Sequence, residues 1–204
     1  RSLNTFMNAL TANDHTMYPF STRNEQDFYN LMRVYLDATF FPKLNYYDFL
    51  QEGHRLERSS KAQNALERTG VVYNEMKGTL GNSGTLFHNK LQEVILPGTL
   101  YANVSGGDPA VIPDLSHEGL VGFHKKHYHP SNALFFTYGD LDVEKHLSRV
   151  NNLVLERFEF TQDARSVTSA ITHSKVDFTQ GAASPGGAPA RYSGPPDPMG
   201  DLQS

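Results

Sequence analysis

Three histidines, His124, His127 and His129, fall within the stretch FHKKHYHPSN at residues 123–132. Imidazole nitrogens bind zinc, and two of them one helical turn apart can share an ion. On a helix turning about 100° per residue, His124 and His127 meet that condition beside Leu120. His129 stands directly before Pro130, which favours an extended backbone. No carboxylate stands at a spacing that would make a general base for this cluster. A helix C-terminus also favours histidine, because the negative end of its dipole attracts a cation. The helix-end role is the expectation, with metal binding as the alternative.

Glu75 poses a sharper question. On a helix starting near Gly70 it falls between Val71 and Val72 in angle, and Met76 extends the same apolar side. Asn74 and Lys77 take the opposite side. Burying an unpaired carboxylate is costly. Such a group needs a cation, a metal or a raised pKa. Lys77 cannot be the partner, since residues two apart on a helix do not face each other. Spacing alone leaves two roles open, an ion pair with a core Arg or Lys and a metal ligand.

These residues must be positioned by the surrounding elements. LNTFMNALT and HTMYPFST read as two strands joined by the turn residues AND. A helix is predicted over 24–41, capped by Asn24 and stopped by Pro42, with Phe28, Leu31, Met32, Tyr35 and Leu36 at helical spacing. NYYDFLQEGHRLE reads as a short helix capped by Asn45, and residues 58–69 as polar loop. GVVYNEMKGTL is ambiguous between strand and helix. GTLFHNKLQEVILP reads as a helix with Phe87, Leu91, Val94 and Ile95 on one face. A turn-rich loop follows, then a helix from a Ser116 cap to about Tyr128. ALFFTYGD reads as a buried strand. Asp142 caps a last helix with a Val143, Leu147, Val150 and Val154 stripe. Together these elements predict an α+β fold with a mainly antiparallel sheet covered by helices. Residues 1–160 form the expected folded unit. Residues 161–204 are rich in Gly, Pro, Ala and Ser and are expected to be a disordered tail.

The chain has 204 residues, of which 38% are hydrophobic and 20% charged, enough to bury a core. Its net charge of −4 argues against nucleic acid as a partner. No apolar run is long enough to cross a membrane. No cysteine is present, so His, Asp and Glu are the strong metal ligands available. The chain begins at Arg1, inside strand-like sequence and with no transit peptide. It is expected to be an internal fragment whose N-terminal segment is missing.

The blocks TFMNALTANDHTMYPFST, VYLDATFFPKL, QEGHRLE, GVVYNEMKGTL, VSGGDPAVIPDLS and FHKKHYHPSNALFFTYGD closely resemble the pitrilysin-type zinc metallopeptidases. The match is to the branch that degrades presequences in mitochondria and plastids, in collinear order over about residues 2–160. In that family one zinc ion is held by the two histidines of an inverted H-x-x-E-H motif and by a more distal glutamate, and the motif's own glutamate is the general base. The resemblance implies that Glu75 is the distal ligand. None of the nine histidines here is followed by Glu three and His four positions on, so no catalytic residue is assigned in this chain. The resemblance also places the histidine cluster outside the zinc site.

The family adds its substrate peptide as a strand to an exposed sheet edge. The matching block is Met7 to Thr11, with Asn8, Ala9 and Leu10 as the implied substrate-binding residues. The implied function is zinc-dependent endopeptidase action on presequences and other short unfolded peptides in the mitochondrial matrix. Alone, without its N-terminal segment and the family's C-terminal half, the chain is expected to be inactive. The alternatives are a non-catalytic scaffold of the same fold, or a truncated splice or gene-model product.

Overall fold

The computed structural model describes residues 3–59 and 65–161. The expected tail from residue 162 onward lies outside the described residues. The fold class is α+β, as predicted: among the described residues six helices accompany short antiparallel sheets. The sheets described are three separate two-stranded ribbons.

Residues 4–22 form one hairpin in two pieces. β1 (Asn4–Met7) pairs with β4 (Phe20–Thr22), and β2 (Leu10–Thr11) with β3 (Thr16–Met17). Met7 opposes Phe20 and Leu10 opposes Met17, so both pieces share one register. The break falls at Asn8 and Pro19. Asn8 N–H donates to Pro19 O at 3.0 Å, but proline has no N–H to return. The unreturned Asn8 carbonyl instead accepts from Tyr35 Oη at 3.4 Å.

α1 (Glu25–Phe40) is capped by Asn24, whose side chain accepts from Asp27 N–H. It buries Tyr29, Leu31, Met32 and Phe40, and Phe20 of the hairpin packs on its Phe28 and Tyr35. α6 (Val143–Leu153) lies against the same helix. Its buried face is centred on His146, which stacks on Phe28 at 5.0 Å. Val143 and Leu147 of the predicted stripe are 63% and 65% exposed. The burying face is therefore rotated from the one expected along the first turns, while Val154 at the end of the predicted stripe is fully buried.

α2 (Tyr46–Glu52) leads into a further ribbon, β5 (Arg55–Arg58) and β6 (Leu66–Thr69). The expectation of loop over 58–69 fails at both ends. These strands carry almost no apolar alternation, and main-chain pairing holds them, while an Arg55–Glu57 ion pair of 2.6 Å forms within β5. GVVYNEMKGTL resolves as α3 (Val71–Thr79), followed by α4 (Ser83–Ile95). The predicted apolar stripe of α4 is uncovered, with Phe87 69% and Val94 53% exposed.

α5 (His117–His127) is capped by Ser116, as predicted. The expected buried strand ALFFTYGD is overturned. Pro130–Asn132 form a 3-10 turn, and the chain then runs without strand pairing among the described residues. Leu134, Phe136 and Tyr138 are 92%, 82% and 94% exposed. An apolar run is buried only when neighbouring strands cover it, and none of the described elements does so.

Candidate functional site

The hairpin presents one main-chain edge to solvent. In an antiparallel pair, opposing residues alternate between hydrogen-bonded and non-bonded pairs. Asn8 N–H bonds Pro19 O, and Ala12 N–H bonds His15 O at 2.8 Å. Even-numbered residues of the first strand thus turn their main chain inward. Met7, Ala9 and Thr11 turn theirs outward, and no third strand among the described residues covers them. Of the three residues proposed from sequence, only Ala9 offers main-chain groups to this edge. Asn8 and Leu10 point their backbones into the hairpin. Leu10 adds an apolar side chain, 40% exposed. Met7 and Thr11, the ends of the block matched in the sequence, are the outward-facing members that sequence reasoning did not single out. The alternation would have revealed them once Pro19 was placed opposite Asn8.

Ala9 N–H is not idle. It donates to the side-chain oxygen Oδ1 of Asn8 at 2.9 Å. Asn8 therefore caps the central donor of the free edge and would have to release it when a peptide strand is added.

Glu75 sits in the middle of α3. Gly70 sets the start of this helix. It has φ +154, and a Cβ there would fall on the main chain of Gly53. The close approach lets Tyr73 N–H donate to Gly53 O at 3.3 Å. Met76 is the buried residue of the helix. Glu75 is exposed, and no ion pair or hydrogen bond from its carboxylate is found among the described residues. Its apolar neighbours Val71 and Val72 are also exposed, at 53% and 38%. The expectation of an apolar side facing a core is corrected in part: Met76 of that side is buried, while Val71, Val72 and the Glu75 carboxylate face outward. Among the described residues no Arg or Lys pairs with Glu75.

The histidines have defined partners. His124 Nε2 donates to Thr39 O at 2.8 Å, at the end of α1. His117 Nε2 donates to Leu44 O at 2.6 Å. Leu44 has φ 45, a conformation rare for a side chain of its size. His129 Nδ1 accepts from Ser131 N–H at 3.1 Å. His127 packs on Phe123 at 4.4 Å, and burial, then the Lys126 charge, lowers its pKa below the ordinary value. His124, His127 and His129 thus each contact the surrounding fold. Among the described residues no group of three or more His, Cys, Asp or Glu could hold a metal. Glu75 is one donor, and the described residues by themselves do not fit a zinc ion.

Mitochondrial presequence protease of Danio rerio is 52% identical over 169 residues, covering 82% of this chain and 16% of that protein. Over most of its length the chain is thus homologous to a segment of that protein. The namesake from Candida albicans is 53% identical over 161 residues, or 78% of this chain and 15% of its own length. A bacterial relative, Protein HypA of Clostridium perfringens, is 44% identical over 187 residues, 89% of this chain and 19% of that one. The chain thus spans under a fifth of the length of each of these three relatives. The family model described as the Peptidase M16 inactive domain matches residues 114–188. That match runs past Phe160, and it begins downstream of Glu75 and of the hairpin edge.

Proposed function

We propose that this chain contributes a metal-ligating carboxylate, Glu75, and a peptide-binding edge, residues 7–11, to a zinc-dependent endopeptidase. Its substrates are presequences and other short unfolded peptides of the mitochondrial matrix. The observation that carries the proposal is the identity of 52% over 169 residues to a protein named mitochondrial presequence protease. Two features of the geometry support it. Among the described residues no strand covers the hairpin edge at Met7, Ala9 and Thr11, and no residue pairs with Glu75, which stands beside the exposed Val71 and Val72.

The chain's own contribution is binding and orientation. Main-chain hydrogen bonds to the edge hold an extended peptide whatever its side chains, which suits unrelated substrates. Leu10, Phe6 and Met17, all at least 40% exposed, offer the apolar contacts. Glu75 supplies one anionic donor. The remaining donors and the general base must come from polypeptide outside this chain.

One observation favours a second reading, a non-catalytic member of the same fold: the matching family model describes an inactive domain. All four candidate residues lie upstream of that match. The deciding experiment incubates an unstructured presequence peptide with this chain and with the longer protein that contains it. Chelator-sensitive cleavage by the longer protein only is the expected result. No such cleavage by either would favour the non-catalytic reading. Cleavage by the chain alone would overturn the placing of the remaining donors and the general base outside it.

A further inference from the structure

The hairpin tip and the Glu75 helix are fastened to the same stretch of chain. At the tip, Asp14 Oδ2 accepts from Tyr101 Oη at 2.6 Å. Beside it, Asn13 Nδ2 donates to Asn103 O at 2.7 Å. Both residues of the turn therefore reach across to residues 101–103. His15 Nδ1 holds the other oxygen of Asp14, Oδ1, at 2.7 Å, which fixes the carboxylate plane. A few residues on, Gly106 lies directly under α3. A Cβ on Gly106 would overlap Met76 Sδ, so glycine permits the contact that buries Met76. Gly107, at φ +93, then turns the chain, its N–H donating to Val104 O at 2.9 Å.

We infer that residues 99–107 act as a strut that sets the free edge of the hairpin at a fixed distance from Glu75, with Asp14 and Tyr101 as its positioning pair. This rests on the peptidase reading of the edge and of Glu75. The hairpin is held near its base by Phe20 on α1, and at mid-length by the Tyr18–Tyr128 hydroxyl contact of 2.8 Å. The tip, which carries Leu10 and Thr11, has the strut as its tether. The bond from Tyr101, ahead of that from His15, holds the Asp14 carboxyl below the usual carboxylate range, and the same bond raises Tyr101. Asp14 is therefore an anion, able to accept from both, throughout the neutral range.

Two readouts test this on Tyr101→Phe and Asp14→Asn. The chain has no cysteine, so spin labels can be placed cleanly at Thr16→Cys and Lys77→Cys, both exposed positions. Pulsed electron resonance then measures the separation of hairpin and α3. Each variant is expected to broaden the distance distribution while circular dichroism stays unchanged. An unaltered distribution in both variants overturns the strut. In the longer protein, misplacing a bound peptide should lower kcat by about 10-fold. KM should stay within about twofold, because the edge that grips the peptide is intact. A rise in KM at constant kcat would mean that the pair serves peptide affinity, and would overturn the positioning role. If the unsubstituted longer protein cleaves nothing, the peptidase reading fails, and the spin-label distances alone decide whether the strut exists.

Discussion

Glu75→Gln separates the ligand role from a structural one. The substitution keeps the shape of the side chain and removes its charge. Glu75 is exposed and has no ion pair among the described residues, so no contact described there depends on that charge. Surface substitutions of this kind stay within about 0.5 kcal/mol. For a chain of this size each kcal/mol moves Tm by about 2–4 °C. The melting temperature of the chain should therefore shift by less than about 2 °C. A buried ion pair would behave otherwise: stranding its partner would cost about 3–5 kcal/mol, or roughly 6–20 °C. In the longer protein the same variant should lose most of its zinc, starting from about one ion per chain, and nearly all hydrolysis. Calorimetry of the chain and elemental analysis of the longer protein give the two numbers. A Tm drop of more than about 6 °C, or zinc retained near the unsubstituted level, would refute the assignment.

Other outcomes follow from single contacts. His127 has a pKa lowered below 6.5 by burial and then by Lys126. The unfolded chain therefore takes up that proton first, and stability should fall as pH drops through about 6.5. His127→Phe should flatten that limb of the Tm–pH curve. Tyr18→Phe removes the hydroxyl contact to Tyr128 and should cost about 0.5–1.5 kcal/mol in denaturant titration, with Tyr128→Phe non-additive in the double variant. Burial and the Tyr128 bond raise the Tyr18 pKa above 10, so the contact should persist at neutral pH and fail only in strong alkali. His124→Ala leaves Thr39 O without its donor. It should cost about 1–3 kcal/mol and leave the zinc content of the longer protein unchanged.

Local signals were legible and long-range ones were not. The helices over 25–40 and 117–127 start where Asn24 and Ser116 predict, because a cap is written in adjacent residues. The second ribbon was missed because Arg55–Arg58 and Leu66–Thr69 pair through the backbone, with no alternation to announce it. ALFFTYGD failed for the opposite reason. Its apolar run promises burial, yet burial belongs to whatever lies alongside, and that is not a property of the run itself. Glu75 combines both cases. Its place between Val71 and Val72 was read correctly as an apolar side, but burial on that side goes to Met76 while Val71 and Val72 stay exposed. On the hairpin, the phase of the alternation depends on which residue opposes Pro19, and only the register reveals it.

The histidines gain their meaning from the same division. The residues that bear the candidate site all precede residue 114, where the match to the inactive domain begins. Long-range polar ties cross that boundary, and each lands on an element near the site. Tyr128 meets Tyr18 in the hairpin. His124 and His117 hold the carbonyls of Thr39 and Leu44 at the end of α1 and the turn after it. Lys145 pairs with Glu25 at the start of α1, at 2.6 Å. Leu115 O accepts from His54 Nε2 at 2.9 Å, while His54 Nδ1 accepts from Arg68, which fixes the ring against the ribbon that leads into α3. An imidazole can bond one group at each nitrogen, and it reaches farther than a serine or an asparagine. Spaced seven residues apart, His117 and His124 share one face of α5 and fasten it to the main chain opposite. A segment with no candidate site residue thus fixes the geometry of the segment that has them, and the histidine-rich stretch is where much of that fastening is done.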